Sequence, residues 1–191
     1  MESKLTNLII VMGVSGSGKT LVGRHLAQQL GIEFVDGDDL HSAENVERMR
    51  SGIKLDDEAR MPWLKSICEC AESHFAAGQS VVIACSALKS MYRDQLRTIS
   101  RPTIFVYLSG SLEVIQQRME KRAGHFMPAT LLESQFAELE NPNGEPNIVS
   151  VNIDLSPESM LEEALNKTRD QINLIASNMS AGGNGSREPM E

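Results

Sequence analysis

Gly13-Val14-Ser15-Gly16-Ser17-Gly18-Lys19-Thr20 decides the fold of this chain. It satisfies G-x-x-x-x-G-K-[ST] at every fixed position. The context fits as well. Before it runs Leu8-Ile9-Ile10-Val11-Met12, an apolar stretch of strand length. After it comes an amphipathic helical pattern, Thr20–Leu30, stopped by Gly31. Glycines at these places let the backbone curl, so that successive N–H groups face inward around an anion. The following helix turns its positive N-terminus toward the same point. In such a loop the lysine reaches the outer phosphates of a nucleotide, and the hydroxyl of the next residue ligates Mg²⁺. Gly13, Val14, Ser15, Gly16, Ser17, Gly18, Lys19 and Thr20 are therefore the expected ATP site, with Thr20 on the metal. The rival dinucleotide fingerprint G-x-G-x-x-G fails, because Gly16-Ser17-Gly18 is followed by Lys19-Thr20-Leu21.

Outward from the loop, short apolar runs alternate with longer amphipathic segments. The predicted strands are Leu8–Met12, Glu33–Val35, Val81–Cys85, Thr103–Leu108 and Ile148–Ile153. Most are nearly continuous in apolar residues, as strands covered on both faces should be. The predicted helices are Thr20–Leu30, Ala43–Arg50, Asp57–Ala77, Lys89–Arg97, Leu112–Arg122, Leu131–Leu139 and Pro157–Ala176. Ser156 is placed to cap the last of these, with Pro157 in its first turn. Strand and helix in strict alternation predict an α/β fold, a five-stranded parallel sheet with helices on both faces. Residues 1–177 read as a single domain. Residues 178–191, which include Gly-Gly-Asn-Gly-Ser, have no apolar period and read as a disordered tail.

Composition narrows the function. The chain has 191 residues, one domain's worth, and a net charge of −8. That balance argues against a nucleic-acid or anionic-membrane surface. Positive charge is gathered locally, in Lys89, Arg93, Arg97 and Arg101 and again in Arg118, Lys121 and Arg122. No apolar run reaches membrane-spanning length. Three cysteines, Cys68, Cys70 and Cys85, make no disulfide framework and suit a reducing compartment, so a cytoplasmic location is expected.

The kind of phosphate-loop protein follows from what accompanies the loop. A guanine-reading Asn-Lys-x-Asp is missing, since Asn166-Lys167-Thr168-Arg169-Asp170 is one residue too long. Val81-Val82-Ile83-Ala84 runs into Cys85-Ser86-Ala87 without the acid of a motor ATPase. The acids instead follow the second strand, as Asp36-Gly37-Asp38-Asp39. One phosphate loop in so small a chain suits a kinase of small metabolites.

Several blocks then resemble the small bacterial-type gluconokinases. They are Asp36-Gly37-Asp38-Asp39-Leu40-His41, the stretch from Met49 to Leu64, Cys85-Ser86-Ala87-Leu88-Lys89, Tyr92 to Arg97, Arg122-Ala123-Gly124-His125-Phe126-Met127 and Ser134-Gln135-Phe136. The resemblance covers about residues 8–155. It implies a shikimate kinase-like fold with a lid near residues 118–130, ATP and Mg²⁺ as cofactors, D-gluconate phosphorylated on its 6-hydroxyl, and a homodimer. It also implies roles. Asp36 would lie near Mg²⁺. Asp38 would hold the substrate hydroxyls and accept the proton of the attacking one. Read as extended chain, the two acids would point the same way. Arg60 would hold the substrate carboxylate with two parallel hydrogen bonds. An ion pair with Asp56 or Asp57 in the same helix competes with that reading. Lys89 and Arg93, four apart on one helix face, would share an anion, or else form a solvated basic face. Arg118 and Arg122 would close over ATP with the lid. His41, His125 and Gln135 would hold substrate, and Trp63 would wall the pocket or the core. Two other readings stand beside this one: a shikimate-type or other small-metabolite kinase, and a non-catalytic ATP-binding regulatory module.

Overall fold

The computed structural model describes residues 6–120 and 129–182. The strands are β1 (Leu8–Met12), β2 (Glu33–Asp36), β3 (Val81–Ala84), β4 (Thr103–Ser109) and β5 (Ile148–Asn152). They form one parallel sheet in the order β2-β3-β1-β4-β5. The helices are α1 (Lys19–Leu30), α2 (Ala43–Arg50), α3 (Asp57–Ala76), α4 (Ser90–Leu96), α5 (Leu112–Glu120), α6 (Ala129–Glu138) and α7 (Pro157–Gly182). Among the described residues, no helix is long and apolar enough to cross a membrane.

The two faces of the sheet come from the period-2 alternation of its strands. In β1, Leu8, Ile10 and Met12 point to one side, where they meet Trp63, Leu64 and Ile67 of α3. Ile9 and Val11 point to the other side, where Val22 and Leu26 of α1 and Ala164 of α7 cover them. Every residue of β1 is buried, which is why its sequence reads as an unbroken apolar run.

Connections set the site. From β1 the chain passes beyond β3 to reach β2, and from β3 it returns to the far side of β1 to form β4. The crevice at the carboxyl ends of β1 and β3 is thus a topological switch point, where ligands of such sheets bind. The phosphate loop leaves β1 there, and Gly13 N donates to Ser86 O just after β3, at 3.3 Å.

Two local features differ from the sequence reading. Helix α7 runs to Gly182, six residues past the predicted end at Ala176. In that last stretch Ser177 Oγ donates to Asn173 O at 2.9 Å, and Ser180 Oγ to Ala176 O at 3.0 Å. These side chains bond back to the helix rather than leaving it. Asp36 and Asp38 do not share an extended strand. Asp36 ends β2, and residues Gly37–Leu40 form a 3-10 turn. Ser156 caps α7 as expected, accepting from Ser159 N at 3.2 Å.

Candidate active site

The phosphate loop has the backbone its glycines allow. Gly13, Gly16 and Gly18 stand at φ +140°, +79° and +104°, a region that side chains rarely tolerate. Lys19 is half-buried, and its Nζ donates to Gly13 O and Val14 O, both at 3.1 Å. Burial holds its ammonium below the usual lysine value, with Asp38 pulling the other way. Ser17 Oγ is buried and has no hydrogen-bond partner among the described residues. A loop with curled amides, an orphaned hydroxyl and a desolvated ammonium fits a bound phosphate group.

Beside the loop, Thr20 Oγ1 lies 3.4 Å from Asp36 Oδ2. A hydroxyl and a carboxylate oxygen side by side are donors suited to a hard cation such as Mg²⁺. The other Asp36 oxygen accepts from Asp38 N at 3.2 Å and so starts the 3-10 turn. Gly37 is the residue that lets the turn lie here. A Cβ on it would stand 2.3 Å from the Ala84 carbonyl oxygen of β3. The turn is pinned from outside by Trp63, whose Nε1 donates to Gly37 O at 2.6 Å. Asp38 opens onto the crevice, yet the atoms packed around it raise its carboxyl above the usual range. Asp36 adds to that rise, and Lys19 opposes it.

His41 closes the turn and stacks on Trp63, with ring centroids 4.2 Å apart and planes 13° from parallel. Its Nδ1 is buried without a partner among the described residues. Burial, helped by Arg60, pushes its pKa down from 6.5 to about 4. The ring is therefore neutral at physiological pH and can serve a sugar hydroxyl as a hydrogen-bond partner. The linkage has a sign. Between pH 6.5 and about 4 the unfolded chain takes up a proton on His41 that the folded chain refuses. Stability should fall as pH drops through that window. His41→Gln should flatten the fall, as read from urea midpoints measured at steps of pH. An unchanged slope would remove His41 as its source.

A cavity of about 310 Å³ joins these parts. Lys19, Asp38, His41, Arg60, Trp63 and Gln135 all face it. Gln135 comes from α6, and its Oε1 accepts from the phosphate-loop amide of Ser15 at 2.6 Å. Arg60 comes from the first turns of α3, with its Nε bonded to Leu55 O at 3.1 Å. The competing ion pair with Asp56 or Asp57 does not form. Asp56 caps α3 through Ala59 N at 2.8 Å, and Asp57 is held by Lys89.

Lys89 and Arg93 do not share an anion in the cavity. Lys89 Nζ donates to both Asp57 carboxylate oxygens, at 2.5 and 2.7 Å. Arg93 is fully buried. Its Nε donates to both Glu145 oxygens, its Nη1 to Ala87 O and Leu88 O, and its Nη2 to Glu140 O and Glu145 Oε1. Every guanidinium donor is used by protein, so none remains for substrate. What Arg93 holds is the wall behind the site. Ala87 has φ +43°, a left-handed conformation that costs a non-glycine residue about 1–2 kcal/mol. Arg93→Met should lower stability by about 3–5 kcal/mol, because it leaves Glu145 and three carbonyls without this donor. Chemical denaturation would measure it, and a loss under about 1 kcal/mol would contradict the assignment.

Arg118 lies at the end of α5, where its guanidinium donates to Ile153 O and to Met160 Sδ, the latter at 3.9 Å. Arg122 and His125 lie outside the described residues. The sequence reading also missed cavity residues in the link between α2 and α3. Gly52, Ile53 and Lys54 of the link line the cavity with Met49 from the end of α2, and Lys54 pairs with Glu138 of α6. No residue type there signals chemistry. The only sign was that the link falls within a block shared with a known family.

Comparison with known proteins bears on the chain as a whole. A family model described as an AAA domain matches residues 8–142. The thermosensitive gluconokinase of Escherichia coli K12 is 49% identical over 145 residues, 75% of this chain and 78% of the relative. A probable gluconokinase of Xenopus tropicalis is 42% identical over 185 residues, 89% of this chain and 97% of the relative. Among solved structures, a gluconokinase from Sinorhizobium meliloti 1021 superposes with a TM-score of 0.84 at 41% identity, covering 92% of this chain and 98% of that one. The sheet order, the phosphate loop and the identity across most of the chain agree, and the chain belongs to the gluconokinase family of P-loop kinases.

Proposed function

We propose that the enzyme transfers the γ-phosphoryl group of ATP to the 6-hydroxyl of D-gluconate, giving 6-phospho-D-gluconate and ADP. One observation carries this reading. A single cavity puts the phosphate-loop lysine together with an acid, a neutral histidine and an arginine that has no ion-pair partner among the described residues. A sugar acid needs those groups: a cation for its carboxylate, polar side chains for its hydroxyls and a proton acceptor at the reacting end.

Residues then take roles. The loop amides and Lys19 bind and orient the phosphates of ATP. Thr20 and Asp36 hold Mg²⁺, which when bound neutralises phosphate charge. Asp38 accepts the proton of the attacking hydroxyl, a task its raised pKa suits. His41 bonds a hydroxyl of the chain, and Arg60 holds the carboxylate with parallel N–H bonds. Gln135 offers its Nε2 donor to a substrate oxygen while its Oε1 accepts from Ser15 N. Arg118 and Arg122 supply positive charge from the lid side.

A coupled assay of ADP release tests the proposal with D-gluconate, idonate, shikimate and nucleoside monophosphates as acceptors. Phosphorus NMR of the product would locate the new ester. Turnover should be greatest with D-gluconate, with phosphate on the 6-oxygen. Turnover of shikimate or another acid without D-gluconate overturns it. So does ATP binding with no phosphorylated product, the behaviour of a regulatory module.

A further inference from the structure

Arg60 faces a problem that its own helix creates. Asp57 precedes it by three residues on α3, the spacing at which helical aspartate and arginine form an ion pair. Such a pair would satisfy the guanidinium and weaken it toward any incoming anion. The structure shows the competition already decided. Lys89 Nζ takes both oxygens of Asp57, at 2.5 and 2.7 Å, and the Tyr92 hydroxyl donates to Oδ1 of the same group. These bonds hold Asp57 well below the usual carboxylate range, so it stays charged and engaged. The ring of Tyr92 also carries the cations. Arg60 Cζ lies 5.8 Å and Lys89 Nζ 5.7 Å from its centroid, within the range of a cation–π contact. Arg60 has no carboxylate partner among the described residues and faces the cavity.

We infer that Lys89 and Tyr92 are positioning residues that hold Asp57 away from Arg60, leaving the terminal amino groups of Arg60 for the substrate carboxylate. The inference rests on the reading of the substrate as a sugar acid. It gives Lys89, whose place in the site the sequence suggested, an indirect role: it binds the competitor of the substrate rather than the substrate.

A double-mutant cycle separates the two roles. Lys89→Met releases Asp57 toward Arg60 and should raise the KM for D-gluconate about tenfold, the equivalent of ~1.4 kcal/mol, while the KM for ATP holds. Adding Asp57→Asn removes the competitor and should bring the KM back to within about twofold of wild type. Tyr92→Phe deletes only the hydroxyl, and should give a smaller rise that Asp57→Asn also relieves. If Lys89 touched the substrate itself, the double variant would stay as impaired as Lys89→Met, and the inference would be overturned. It is equally overturned if Lys89→Met, shown to be folded by its melting curve, leaves the KM unchanged. Should Lys89→Met fail to fold, the Tyr92→Phe pair decides alone by the same criterion. Wild-type enzyme inert toward D-gluconate overturns the functional reading, and the inference with it. Active wild type with no rescue overturns the inference only.

Discussion

Lys19→Ala should lower turnover by at least about 10³-fold and leave the fold in place. Removing one aligned donor from a developing phosphoryl charge commonly costs 10²–10³-fold, and Lys19 brings an amine on a four-carbon stem into a desolvated site. Its ammonium lies over the loop's own carbonyls at 3.1 Å. Burial depresses its pKa, so the folded chain holds this charge against a desolvation cost. Alanine removes that cost along with the charge, and the melting temperature should hold or rise slightly. Single-turnover rates and a thermal melt on the same preparation measure both effects. A variant within tenfold of wild-type turnover would take Lys19 out of the chemistry.

Asp38→Asn should lower gluconate turnover by about 10²–10⁴-fold, the span general-base catalysis usually supplies. ATP binding should be nearly normal, because the phosphate contacts lie on the loop. Asparagine keeps the shape of the side chain and the 3-10 turn, which is held by Asp36 and Trp63 rather than by the Asp38 carboxylate. The pH profile adds a second reading. Burial and the neighbouring Asp36 raise the pKa of Asp38, so it takes up a proton at a higher pH than an ordinary aspartate. Wild-type turnover should be lost as pH falls through that raised value. The residual rate of the asparagine variant should lack this acidic limb. Near wild-type turnover, or an acidic limb unchanged in the variant, would exclude Asp38 as the proton acceptor.

What could be read from the sequence depended on whether the cause was local. The phosphate loop was legible because its geometry follows from glycine and lysine at fixed spacing, and the strands because burial on both faces leaves continuous apolar runs. The helix starting at Asp57 was legible for a similarly local reason, since its first-turn acids Asp57 and Glu58 lie within it. The fates of Lys89 and Arg93 were not. Their spacing of four was visible, but the acids that neutralise them, Asp57 and Glu145, lie 32 and 52 residues away. The basic cluster around Lys89, Arg93 and Arg97 therefore looked like a ligand surface, and the fold has turned it inward. Arg97 bonds Asp94 and Glu145. The 3-10 turn escaped for a different reason. Its path is set by the close approach of Gly37 to the Ala84 carbonyl, a contact between neighbouring strand ends that no periodicity encodes.

The Arg93 staple also bears on how long the native state lasts. It ties the residues after β3 to the segment around Glu140 and Glu145, so it exists only when the β3 end and the approach to β5 are both seated. Contacts that span about 50 residues are expected to close after the folding barrier. Weakening them shortens the lifetime of the folded enzyme and leaves its speed of folding little changed. The stability lost in Arg93→Met should thus appear as faster unfolding. The arginine that reaches no ligand would then act as the enzyme's clock against thermal inactivation.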